Sequence, residues 1–304
     1  MPCALFVAAC LLTLGPWMNA PVALIFGCVF AHVWGNPLPE QSARVSSFLL
    51  KAAVIGLGFG INVHTALKAG KDGFWLTLAS IVLIMLLGAL AGRLLGMPRR
   101  LAYLVASGTA ICGGSAIAAI GPAVRASAQE MSVALGVVFM LNALALLVFP
   151  VIGHMLDMDQ YHFGVWSAIA IHDTSSVVGA ASAYGPDALD IATTVKLARA
   201  LWIIPLTFVS VLLFKGGEGK IKLPLFILGF VLAMLANSFF DLPEGVVKAI
   251  VQASKASLSL CLFLIGSTLS LSAVRAVGWQ PLVLGVVLWL ACSLLSLPAV
   301  LFFV

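Results

Sequence analysis

Eleven apolar runs follow one another along this chain, near residues 3 to 15, 20 to 35, 45 to 63, 73 to 96, 101 to 122, 129 to 153, 162 to 184, 190 to 214, 222 to 240, 246 to 271 and 279 to 303. A helix needs about 20 apolar residues to cross a hydrocarbon layer about 30 Å thick, and most of these runs have that length. They lack the alternation of an outer-membrane barrel strand. Only 9% of the residues are charged, against about a quarter in a soluble globule. The pattern predicts an all-α polytopic membrane protein of about 10–11 transmembrane helices, a single domain over 1–304. No hydrophilic stretch is long enough for a nucleotide-binding fold, which excludes ATP-driven transport by this chain alone. The first run lacks a positively charged segment before it and is expected to stay as a short first helix.

The net charge of +5 is spread through short loops, an inside-positive pattern rather than a nucleic-acid face. Under this helix count Arg44, the group Arg93, Arg99 and Arg100, and the group Lys215, Lys220 and Lys222 share one side. That side is expected to be cytoplasmic, with the N-terminus inside and the C-terminus outside. The acidic turn from His154 to His162, with Asp157 and Asp159, falls on the same side and runs against the rule.

Two of the apolar runs are interrupted. Ser107 to Pro122 carries Gly113-Gly114-Ser115, and His172 to Pro186 carries Asp173-Thr174-Ser175-Ser176. Glycine pairs also serve close helix packing. An unwound backbone, however, is tolerated at membrane depth only where it meets protein or a water-filled cavity. Asp173, Thr174, Ser175 and Ser176 are good N-cap chemistry. Two half-helix starts would each bring about half a positive charge and free N–H groups, which suits an oxyanion. With Asp173 ionised, the same geometry suits a cation or proton. His172 fits a proton carrier or a hydrogen-bonded structural residue.

A charge at the bilayer centre costs roughly 2.5 to 3.5 kcal/mol on insertion scales. Lys196 and Arg199, three residues apart, share a helix face. Either they give a cavity a positive potential, or Asp173 or Asp190 neutralises them in a structural network. Lys51, Arg125 and Lys255 lie near helix ends and snorkel. The six cysteines, Cys112 among them, have no metal-ligand spacing. No zinc-protease, nucleophile-elbow or phosphate-loop motif is present. Neither enzymatic activity, nor a metal, nor a cofactor is expected.

Two internal matches point to duplication. Gly58 with Gly70 and Gly266 with Gly278 share a spacing on helices expected to run in opposite directions, as an inverted repeat requires. The short match of Ala116–Pro122 to Ala180–Pro186 falls, in this topology, on helices running the same way. Gly56-x-x-x-Gly60 and Gly92-x-x-x-Gly96 fit packing within the chain or between two copies in a homodimer.

At Lys51 to Gly60, Asn62, Ser107 to Pro122, the run His172 to Ala180, and Lys196-Leu197-x-Arg199, the chain resembles the YeiH-like sulfate exporter family, UPF0324-type proteins of the bacterial inner membrane. The resemblance implies a fold like that of sodium/proton antiporters or bile-acid symporters, with inverted repeats and discontinuous helices meeting near the midplane. It also implies transport. The expected function is export of a small anion, sulfate or a related sulfur oxyanion or sulfonate. Ser107, Thr109, Gly113, Gly114, Ser115, Thr174, Ser175 and Ser176 would replace its hydration shell. Lys196 or Arg199 would offset its charge, and His172 and Asp173 would couple movement to protons or sodium. The alternatives are a monovalent cation/proton antiporter using Asp173, or a non-transporting membrane sensor or assembly subunit.

Overall fold

A computed structural model describes residues 2–15, 17, 18, 20–61, 63–214, 225–240, 242–268 and 278–303, with backbone alone at 2, 20, 65–73, 128, 225 and 227. Asn62, Lys215, Lys220, Lys222 and residues 269–272 lie outside the described residues. The described chain is helical without a strand: α1 Pro2–Leu12, α2 Ala20–Val33, α3 Pro39–Gly58, α4 Val63–Leu94, α5 Arg99–Ala110, α6 Gly114–Ala123, α7 Ala128–Met155, α8 Gln160–Ala170, α9 Thr174–Tyr184, α10 Pro186–Ala200, α11 Ile203–Phe214, α12 Leu225–Phe239, α13 Glu244–Thr268 and α14 Trp279–Phe303. Among these residues five helical stretches are long and apolar enough to cross a membrane. The protein is a multi-pass membrane protein.

The helices sort into two groups. In the smaller group, α13 packs on α2 and α3, with α1 and α12 at its flanks. Helices α3 and α13 run antiparallel. The Cys261 thiol donates to the Ser46 carbonyl (3.2 Å), while Gly56 lies on Ser254 and Gly60 on Val251. Where α2 crosses α13, a Cβ on Gly27 would enter the Phe263 carbonyl, and one on Gly266 would enter that of Leu24. Backbone cannot give way as a side-chain tip can. Gly266→Val is therefore expected to lower stability by about 1–3 kcal/mol or more, read as a fall in melting temperature of the purified protein. Gly56 and Gly60 pack within the chain as above and Gly92 lies against Ala102 of α5, whereas nothing lies within 4 Å of the Gly96 Cβ position.

The larger group holds α4 to α11 and α14, and here the two interrupted runs turn back. Phe163 at the start of α8 stacks on Tyr184 at the end of α9, ring centroids 3.7 Å apart. Gln160 accepts from the Asp187 N–H (2.9 Å), and Tyr184 also stacks on His154 of α7. Both ends of α8–α9 thus lie on one side, and the pair is a re-entrant hairpin. The α5–α6 pair is another. Gly108 lies against Ile117 across its tip, and both legs pack on α11. The runs 101 to 122 and 162 to 184, expected as single crossings, are hairpins that enter from opposite sides.

Orientation becomes consistent as a result. Arg93, Arg99 and Arg100 cluster at one end, with the Arg99 guanidinium 4.7 Å above the Phe214 ring. Because α5–α6 turns back, Arg125 joins that basic end. The turn carrying Asp157 and Asp159 moves to the opposite end with Asp187, as the inside-positive rule requires. Partial burial works against ionisation of the Asp159 carboxyl, yet the His162 N–H and ring outweigh it and hold the carboxyl below its usual range.

Two inverted relations are visible. Hairpin α5–α6 with the span α7 answers hairpin α8–α9 with the span α10–α11, and α3 answers α13. The match of Ala116–Pro122 to Ala180–Pro186 therefore relates α6 to the end of α9 and the turn into α10, and the two hairpin legs run in opposite directions, not the same direction as expected. The hairpin relation lies inside the α3–α13 relation along the chain, so the two matches do not belong to one simple duplication.

Candidate functional site

The two hairpin tips meet inside the protein. Gly113, at φ 64° and ψ −119°, brings the first tip so close that a Cβ there would stand 3.1 Å from the His172 carbonyl and 3.5 Å from the Asp173 Cβ. Few residues but glycine hold that backbone conformation. Helix α7 passes both tips. Val138 lies against Gly113, and the side-chain oxygen of Asn142 accepts from the His172 N–H (2.9 Å).

Each tip leaves a helix C-terminus whose last carbonyls have no helical partner. Lys196 and Arg199 supply the donors. Arg199 Nε donates to the Ala110 carbonyl (2.8 Å), as does Nη2, while Nη1 donates to Ile169 (2.7 Å). Lys196 Nζ donates to Ile171 (2.6 Å) and Ala168 (3.2 Å). Both side chains are fully buried. Arg199 thus joins the end of α5 to the end of α8, and the two cations offset the negative ends of both helix dipoles. Among the described residues no carboxylate lies within ion-pair distance of either cation, so the expected structural pairing with Asp173 or Asp190 is not made and the partners are backbone carbonyls.

The helix starts beyond the tips differ. At α9, Asp173 accepts from the N–H groups of Ser175 (3.0 Å) and Ser176 (3.3 Å) and from the Ser175 hydroxyl. At α6, Gly113 provides no side-chain cap. Its first N–H groups, at Gly114, Ser115 and Ala116, precede the first intrahelical bond, from Ile117 to Gly113. Ser115 is exposed and Gly114 and Asp173 are partly so, whereas Thr174, Ser175 and Ser176 are buried. Around the tips, buried polar atoms stand without a partner: Thr109 Oγ1, Asn142 Nδ2 and both ring nitrogens of His172. Buried polar groups are ordinarily hydrogen-bonded, so these atoms keep hydrogen-bonding capacity that the protein itself does not use. Ser107 is turned away, its hydroxyl donating to the Leu104 carbonyl (3.1 Å).

Asn142 was not among the residues singled out from sequence, although a lone amide inside the apolar run of α7 is a signal of the same kind as Asp173. Among the described residues no cluster of three metal-ligand side chains occurs.

Comparison with known proteins agrees with the resemblance. The family model described as conserved hypothetical protein 698 matches residues 4–285. A UPF0324 membrane protein of Bacteroides thetaiotaomicron is 51% identical over 290 residues, covering 94% of this chain and 87% of that protein. The chain belongs to the UPF0324 membrane protein family. Other relatives of that name are 48% identical in Shewanella oneidensis, over 98% of this chain and 95% of that protein, and 47% identical in Porphyromonas gingivalis, over 94% and 88%. No solved structure matches this UPF0324 protein.

Proposed function

We propose that this UPF0324 protein is a secondary transporter of the bacterial inner membrane that exports a small anion, a sulfur oxyanion such as sulfate or a sulfonate, by alternating access. The observation that carries this reading is the meeting of two helix N-termini, at Gly114 and Thr174, beside unpartnered buried groups of Thr109, Asn142 and His172. Free N–H groups at the positive end of a helix dipole suit an oxyanion, and hydroxyl and amide donors replace its water. Lys196 and Arg199 act on the anion indirectly, by cancelling the opposed negative helix ends that would otherwise repel it. The division of the helices into two groups supports alternating access, with the tips in one group and α2 and α13 of the other packed on α9. The basic end faces the cytoplasm in this reading.

The test is thermal stability of the purified protein with sulfate, thiosulfate, sulfite, taurine, chloride, sodium or lithium, since a ligand of the folded state raises the melting temperature by mass action. A sulfur oxyanion is expected to stabilise. Thr109→Val should abolish that gain while leaving the empty protein as stable as before, because the hydroxyl it removes has no partner to lose. Stabilisation by sodium or lithium alone would sink the proposal in favour of a cation/proton antiporter centred on Asp173.

A further inference from the structure

Asp173 already does chemically what the exported anion is expected to do. Its carboxylate sits at the N-terminus of α9 and takes two backbone N–H groups and one hydroxyl. An oxyanion arriving between the tips would find the α6 N–H groups of Gly114 and Ser115 uncapped, that of Ala116 being turned to the Cys112 thiol, and the α9 donors filled by a like charge. Resting on the transporter reading, we propose that Asp173 is an internal stand-in for the substrate. Its carboxylate holds the α9 N-terminus while the carrier is empty, and it must be protonated and swing aside for the oxyanion to take the same donors.

The surroundings permit such an exchange. Asp173 keeps some exposure, so a proton can reach it and the side chain has room to leave. Across the tip, Gly113 places no side chain in the way. The charged and titratable groups that bear on Asp173 are Cys112 of the first tip, Lys196 of α10 and Cys261 of α13, with His172 beside it in the chain; α7 contributes the neutral amide of Asn142. The unpartnered atoms of Thr109, Asn142 and His172 give the guest contacts that a carboxylate fixed to its own backbone does not use.

The balance is one proton taken up by Asp173 for each anion bound and one released when the anion leaves. The bound state holds the extra proton, so anion affinity rises as pH falls. A divalent oxyanion leaving with one proton moves one net negative charge outward, a direction that an interior-negative potential favours.

Sulfate and thiosulfate binding to the full-length protein in lipid nanodiscs, followed by calorimetry between pH 5.5 and 8 in two buffers of different ionisation enthalpy, tests this. Uptake of about one proton per anion is expected, with affinity falling as pH rises. Asp173→Asn, which keeps a capping side chain without the charge, should bind the anion with little pH dependence and transport it without moving protons. Asp173→Ser, another good cap, should behave alike if the asparagine variant folds poorly. Wild-type binding without proton uptake, or loss of anion binding in both variants while they melt normally, overturns the stand-in role and leaves the transporter reading standing. Absence of oxyanion binding at every pH in wild type and variants overturns both.

Discussion

Arg199→Ala is expected to produce the largest loss of stability of any single truncation near the tips. The guanidinium is buried and bonds carbonyls from two different hairpins. Removing it leaves the Ala110 carbonyl without that partner in a dry interior, at about 1–3 kcal/mol, leaves Ile169 only the weaker Cys292 thiol as donor, and leaves two negative helix ends facing each other without the cation that bridges them. A loss of about 1–3 kcal/mol or more is a large share of an ordinary fold's stability. The measurement is thermal or denaturant unfolding of the empty protein in detergent. Arg199→Lys, a point charge with no fork to reach both carbonyls, should fall between wild type and alanine. If alanine left the empty protein unaltered and removed only anion binding, Arg199 would be a ligand of the anion and not the brace the hydrogen bonds describe.

Gly113→Ala is expected to damage both stability and binding. The backbone at φ 64° and ψ −119° costs a residue with a Cβ about 1–3 kcal/mol. The new methyl would also press at 3.1 Å on the His172 carbonyl and on Val138. Relief requires the tips to separate, which widens the space between Gly114 and Thr174. Gly96→Ala is the control. Gly96 also has a positive φ, but nothing lies within 4 Å of its Cβ position, so a loss of about 1 kcal/mol with unchanged oxyanion stabilisation is expected there. Equal effects of the two substitutions on binding would show that tip spacing does not matter.

Both breaks were legible in the sequence, because Gly113-Gly114 and Asp173-Thr174-Ser175 carry backbone and capping chemistry that a continuous apolar helix has no use for. The turning back of the chain was not. Two legs of about 11 residues contain as many apolar residues as one crossing, so length and hydropathy read the same for a hairpin and a span. The signal that discriminated was electrostatic: Asp157 and Asp159 fell on the basic side under the single-crossing count, and two hairpins remove the conflict. The partners of Lys196 and Arg199 were beyond reach for another reason. They are backbone carbonyls, which every residue has, so no side-chain pattern announces them. Asn142 was within reach, being an amide in an otherwise apolar stretch of α7.

Arg199 ties the first tip to the second, and Lys196, one turn away on α10, ties the second to the same helix. Tips fastened to one rod are held from opening widely enough to let a guest in from one side and then the other. A carrier of this construction would have to bring its binding place to each surface in turn, as a drawer moves within a cabinet, with the α2–α13 crossing locked at Gly27 and Gly266 serving as the fixed frame.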